Sequence, residues 1–155
     1  MVSHLDKKNN PIMVDVGNKD ITHRVAEAEG EIIFDKSTFK KIENLKSKKG
    51  SINNVAVMAG IMGAKETYRL IPLCHNIPIE SVNIEIIKNS KKNLIKVRSF
   101  VKTDAKTGVE MEALTAVTIS CLTIYDMCKY LDKSIKISNI KLILKKGGKS
   151  GIFKK

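Results

Sequence analysis

The chain has 155 residues, enough to enclose one core, because domains cluster near about 100 to 150 residues. With 43% apolar and 28% charged residues it can both fill an interior and stay soluble, which excludes a disordered tail or a membrane span. Cys74, Cys121 and Cys128 include no CxxC pair, so no disulfide framework is expected, and the opening MVSHLDKKNN lacks the apolar stretch of an export signal; the expected location is cytoplasmic.

The formal net charge of +12 implies a surface that attracts anions, whether nucleic acid, anionic lipid or a small phosphorylated substrate. Base readers favour arginine, yet only Arg24, Arg69 and Arg98 are present; Trp is absent, and three Tyr and four Phe are few for base stacking. Charge alone therefore discriminates poorly. No repeat or Pro/Gly/Ser-rich linker divides the chain, so residues 1–155 read as one domain, with 1–10 and 147–155 expected to be flexible.

In chain order, Glu31 to Phe34 is a short apolar run. Ser37 then opens a helix with Phe39, Ile42 and Leu45 at helical spacing, expected to stop at Gly50. Asn54 to Leu70 reads as a second helix, whose small residues Ala56, Ala59, Gly60, Gly63 and Ala64 admit another backbone, and Pro72 ends it. Val82, Ile84 and Ile86 alternate with polar residues, KNSKKN turns the chain, and Ile95, Val97 and Val101 alternate again, the pattern of an antiparallel hairpin. After a break at Thr107 and Gly108, a long helix is predicted from about Ala113 to Asp132, with Leu114, Val117, Cys121, Ile124, Cys128 and Leu131 on one stripe. Ile140, Leu142 and Leu144 give a last strand. The order spells α+β, with helices on one face of an antiparallel sheet.

Several residues carry potential chemistry. Opposite the Cys121 stripe lie Thr115, Thr118, Leu122, Asp126 and Lys129, a face that suggests burial against a second chain or a cleft. Asp126 and Lys129 are helix neighbours, which on spacing alone reads equally as a surface ion pair. RLIPLCHNIPIE holds Cys74 and His75 between Pro72 and Pro78 in extended geometry, a place for acid–base work or for a structural histidine. His4, His23 and His75 are far apart and no metal site is expected. Cys121 and Cys128 read as packed hydrophobes. Glu110 and Glu112 converge on one site if the helix starts after Glu112; otherwise they serve the positive end of the helix dipole. GGKSG has Ile143 where a phosphate-binding loop of the Walker type needs glycine, so it remains a glycine-rich tail bringing Lys149 to an anion.

Taken together, MVDV (13–16), AGIMGAK (59–65), LIPLCH (70–75), TGVEMEALTAV (107–117), CLTIYDMCK (121–129) and GGKSG (147–151) resemble the molybdenum cofactor biosynthesis protein C family, over nearly the whole chain. Asn76, Gly63 and Phe153 depart from the family's usual proline, alanine and larger aromatic. The resemblance implies a ferredoxin-like fold and a lyase of molybdopterin synthesis that turns a cyclised dihydro-GTP, supplied by a radical GTP cyclase, into cyclic pyranopterin monophosphate with release of pyrophosphate. It implies Asp126 as catalytic with Lys129 as its basic companion. Leu73, Cys74, His75, Met111 and Glu112 are implied to bind substrate, with Lys65, Arg24, Glu110 and Lys149 around it. Asp126 and His75 suit proton movement, and lysines suit phosphate. No cofactor is implied. The family resembles hexamers built as trimers of dimers with sites at subunit interfaces. The competing reading is a basic nucleic-acid-binding module without catalytic activity.

Overall fold

A computed structural model describes residues 5–6, 8–42, 44, 46–47, 50–149 and 151–155. Strands β1 (Thr22–Ile33), β4 (Ser81–Asn89), β5 (Leu94–Ala105), β6 (Lys136–Lys146) and β7 (Phe153–Lys154) form one antiparallel sheet in the order β4-β5-β1-β6-β7. Strands β2 (Lys46–Ser47) and β3 (Gly50–Ser51) form a separate small hairpin. Helices α2 (Ile52–Lys65) and α4 (Glu110–Cys128) lie against one face of the sheet, while α1 (Lys36–Lys41) and α3 (Thr67–Leu70) are short. This is the ferredoxin-like α+β architecture implied by the sequence.

The β4–β5 hairpin follows the predicted alternation. Ile95, Val97, Ser99, Val101 and Thr103 are buried under the helices, and Arg98 and Lys102 point to the opposite face. The central strand β1 is far longer than the Glu31–Phe34 run suggests. Its helix-facing positions include Ala26, Ala28, Gly30 and Ile32, and the first three are small because α4 lies directly above: a Cβ at Gly30 would come within 2.7 Å of Val117. Strong strand formers are missing where the helix needs room. Helix α4 is the core helix of this layer; by length and composition it is apolar enough to cross a membrane, but half of it is buried inside the fold.

Helix limits differ from the predicted ones for local reasons. Asp35 caps α1, its carboxylate accepting from the Thr38 amide at 2.6 Å, and the helix stops at Ile42, where the chain leaves toward the β2–β3 hairpin; Leu45 lies outside the described residues. Phe39 and Ile42 already bury one turn of the helix, with Phe39 edge-on to Phe34 at 6.0 Å, so no longer apolar stripe is needed. Ser51 caps α2, which ends at Lys65, and Thr67–Leu70 forms a separate turn held by the Thr67 hydroxyl donating to the Gly63 carbonyl. Helix α4 begins at Glu110 and ends at Cys128, not at Asp132.

The small-residue face of α2 meets α4 of the same chain. Side-chain Cβ atoms at Gly60 and Gly63 would strike the Ser120 hydroxyl and Ile119, and Ser120 donates to the Ala56 carbonyl at 2.9 Å. Away from the helices, the open sheet face carries a charge network around Glu29, which is 6% exposed and paired with Lys141 at 3.1 Å, Lys96 at 3.3 Å and Arg98 at 3.4 Å. Burial pushes its carboxyl up, but the bonds to Lys141 and Lys96 outweigh this and hold it below the ordinary value. Gly60→Val should cost about 3 kcal/mol of stability by overpacking this contact, read as a lowered urea midpoint with unchanged secondary structure.

Candidate active site

Two contiguous clefts open where the start of α4, the loop after α3, the N-terminal segment and the end of β6 meet. The first, of about 340 Å³, is lined by Leu73, Cys74, His75, Glu110, Met111 and Glu112, with Val14, Val16 and Lys19 across from them. The second, of about 660 Å³, shares Lys19, Thr107, Gly108 and Glu110 and adds Arg24, Lys106, Lys145 and Lys149. Within it five cations face two carboxylates, Asp20 and Glu110, so the cleft as a whole favours an anion.

The loop that carries Cys74 and His75 is fixed at both ends. The Cys74 amide donates to the Ile71 carbonyl, and the Thr103 hydroxyl of β5 donates to the Pro78 carbonyl. His75 Nε2 donates to the Val14 carbonyl at 2.7 Å, which places a hydrogen on that nitrogen and leaves Nδ1 to accept or carry a proton. Burial, and then the Glu112 charge, push the Cys74 thiol up, away from a nucleophilic thiolate. Burial pushes Cys121 up to about 12 and Cys128 up to about 11, as for packed hydrophobes.

Glu110 and Glu112 both reach the first cleft, but through the opening turn of α4 and not through the extended segment expected from the sequence. The helix start separates their surroundings. Glu110 is partly exposed and pairs with Lys145 at 3.5 Å. Glu112 is 4% exposed, and among the described residues no cation pairs with it. Its burial, aided by the charge of Glu110, pushes its carboxyl up to about 7, although its own backbone amide favours the anion.

Arg24 is buried, donating from Nε to the Ala105 carbonyl at 3.2 Å and from Nη2 to the Lys106 carbonyl at 3.3 Å. Gly147 and Gly148, both at positive φ, lie so close that a Cβ on either would run into the His23 carbonyl or the Arg24 guanidinium. In the sequence this glycine pair reads as part of a glycine-rich tail, and neither its packing on Arg24 nor the place of Lys106, whose ammonium donates to the Gly17 carbonyl at 2.6 Å, is foreseen there. The signal available was the GG dipeptide, whose partner lies far away in the chain.

The structure does not bring every expected residue together. Asp126 and Lys129 pair at 2.7 Å with both side chains about half exposed. They sit near the far end of α4, about 21 Å along its axis from Glu112 at about 1.5 Å per residue. The Asp126 bond is the main cause that raises the Lys129 ammonium. Lys65 is exposed at the end of α2 and lines neither cleft. Within one chain the predicted constellation is thus divided into two groups at opposite ends of one helix.

A ferredoxin-like α+β protein with a basic cleft beside a histidine and a carboxylate pair is the class that fold and site define. Residues 13–148 match the MoaC family, and the chain belongs to it. It is 49% identical over 152 residues to the cyclic pyranopterin monophosphate synthase of Helicobacter pylori strain Shi470, covering 98% of this chain and 96% of the relative. The same identity relates it to the protein of that name from Campylobacter jejuni strain 81-176, over 98% of this chain and 97% of the relative.

The carboxyl of Glu112 gives a pH prediction. Because its folded value of about 7 lies above the ordinary 4.5, the folded protein keeps a proton that the unfolded chain releases between these values. Its contribution is present below about pH 4.5 and is lost as pH rises through about 7. Compared with Glu112→Gln, the wild type should lose on the order of a few kcal/mol between about pH 5 and pH 8, measured from urea midpoints of both proteins.

Proposed function

We propose that this chain is a lyase of molybdenum cofactor biosynthesis with the activity of a cyclic pyranopterin monophosphate synthase, acting on the cyclised dihydro-GTP and releasing pyrophosphate. The observation that carries this reading is the 49% identity to synthases of that name over nearly the full length of both chains. The clefts fit such a substrate. Lys19, Arg24, Lys106, Lys145 and Lys149 supply positive charge for a triphosphate, with Gly148 beside them in the lining. The smaller cleft, with His75, Glu110 and Glu112, suits the heterocyclic head, where ring opening and pterin formation require protons to move. A polyanion entering a cleft of this charge is steered by the field and oriented by the buried Arg24.

Asp126 and Lys129 belong to this site only if another subunit supplies them, since one helix cannot bring both its ends to one cleft. The outer helix surface suits a second copy of the chain. Val55, Met58 and Met62 on α2 and Leu122 on α4 are 38%, 62%, 63% and 52% exposed, an apolar strip without cover in the single chain. The assembly is read as a homo-oligomer, in the family manner a hexamer, with His75 and Arg24 of one chain facing Asp126 and Lys129 of another. The cytoplasm, where guanosine triphosphate is abundant, is the compartment this reading requires.

Incubation with the cyclised dihydro-GTP should yield the fluorescent pterin product; absence of product together with salt-sensitive RNA binding would favour the nucleic-acid reading. Asp126→Asn should fold and lose turnover, and His75→Ala should slow turnover by about 10-fold or more. Mixing these two variants under conditions of subunit exchange should restore part of the activity, because some interfaces then hold one intact site. Mixtures that stay inactive despite proven exchange would reject the shared site.

A further inference from the structure

The two carboxylates that open α4 differ in what surrounds them. Glu110 meets the Lys145 ammonium at 3.5 Å on the basic side. Glu112 lines the smaller cleft and is 4% exposed, and the other titratable groups lining that cleft are Cys74 and His75 from the loop after α3, Lys19 from the N-terminal segment and Glu110 on its own helix. The cations nearby are directed elsewhere: Arg24 of β1 donates to the Ala105 and Lys106 carbonyls, Lys106 donates to the Gly17 carbonyl, and Lys145 of β6 pairs with Glu110. His75 gives its Nε2 hydrogen to the Val14 carbonyl. Among the described residues Lys19 also lines the cleft but makes no ion pair with Glu112.

We infer that Glu112 is the general acid of the smaller cleft, its proton donor, while Glu110 serves as the ion-pair partner of Lys145. This rests on the enzyme reading above and goes beyond a part in holding substrate. Two carboxyl groups whose environments differ in this way divide the work between an acid and an anion. The direction of the shift at Glu112 agrees, since burial keeps the proton on it near neutrality, where proton transfer is most effective. In the step itself the O–H bond of Glu112 breaks and an N–H bond forms on a ring nitrogen of the heterocyclic head. That nitrogen takes up the electron pair of its departing C–N bond, the second nitrogen on the same saturated carbon donates its lone pair to form a C=N bond there, and Glu112 is left as a carboxylate that regains a proton from solvent before the next turnover.

The test has two parts on the full-length protein. With glutamate labelled at the side-chain carboxyl carbon, the NMR signal missing from Glu112→Gln should titrate near pH 7 in the wild type without substrate; a midpoint below about 5 overturns the proposal whatever the enzyme does. With the cyclised dihydro-GTP, wild-type kcat should decline as pH rises through about 7, and Glu112→Gln should lose about 10²- to 10⁴-fold in kcat with KM changed by less than about 3-fold. An active wild type whose Glu112→Gln variant keeps its kcat overturns the acid role alone. A wild type that forms no product overturns the enzyme reading and the acid role with it.

Discussion

The structure depends on one close approach, that of α2 to α4 over the helix-facing side of the sheet. Gly60 and Gly63 let the two helices meet with Ser120 bonded directly to the Ala56 carbonyl, and Gly30 lets α4 settle onto the central strand. Packing of this kind buries α4 on two sides, from Ala113 through Val117, Cys121 and Ile124 to Cys128. Once α4 is fixed, so are its ends. Its first turn forms a wall of the clefts, and its last turn presents Asp126 and Lys129 on the surface.

The rigidity of α4 has a chemical consequence. Residues at its opening turn are held against the loop containing Cys74 and His75, which is itself pinned to β5 and to the N-terminal segment. Burial there raises both the Cys74 thiol and the Glu112 carboxyl, so these two groups favour their protonated forms. A few residues away cations dominate. The buried Arg24, wedged beneath Gly147 and Gly148, and the lysines of β6 and its turn make a cationic surface next to the smaller cleft. A ligand with an uncharged heterocycle at one end and phosphates at the other matches that division.

The sheet's open face follows a different rule. There Glu29 is paired with Lys96, Arg98 and Lys141, and the bonds to Lys141 and Lys96 overcome the cost of its burial. In the small cleft Glu112 is buried without such partners and retains its proton more readily. The same side-chain type thus behaves in opposite ways on the two sides of one sheet, and the difference lies in the number of cations within reach.

Sequence periodicity alone determined the β4–β5 hairpin and the central part of α4, because their apolar residues repeat at the spacing of the element that buries them, and alternation at Ile140, Leu142 and Leu144 marked strand β6. The six motifs determined the family. The extent of β1 was not legible, since three successive helix-facing positions, Ala26, Ala28 and Gly30, are small to make room for a helix distant in sequence. Nor was the first turn of α4: whether Glu110 and Glu112 are helical depends on the cleft they close, and local spacing does not decide it. Only tertiary structure revealed that Gly147 and Gly148 pack on Arg24 and that the carboxylate pair differs in partners. It alone placed Asp126 and Lys129 a helix length away from His75, because distance in space is set by how elements pack, and the order of motifs along a chain carries no such measure.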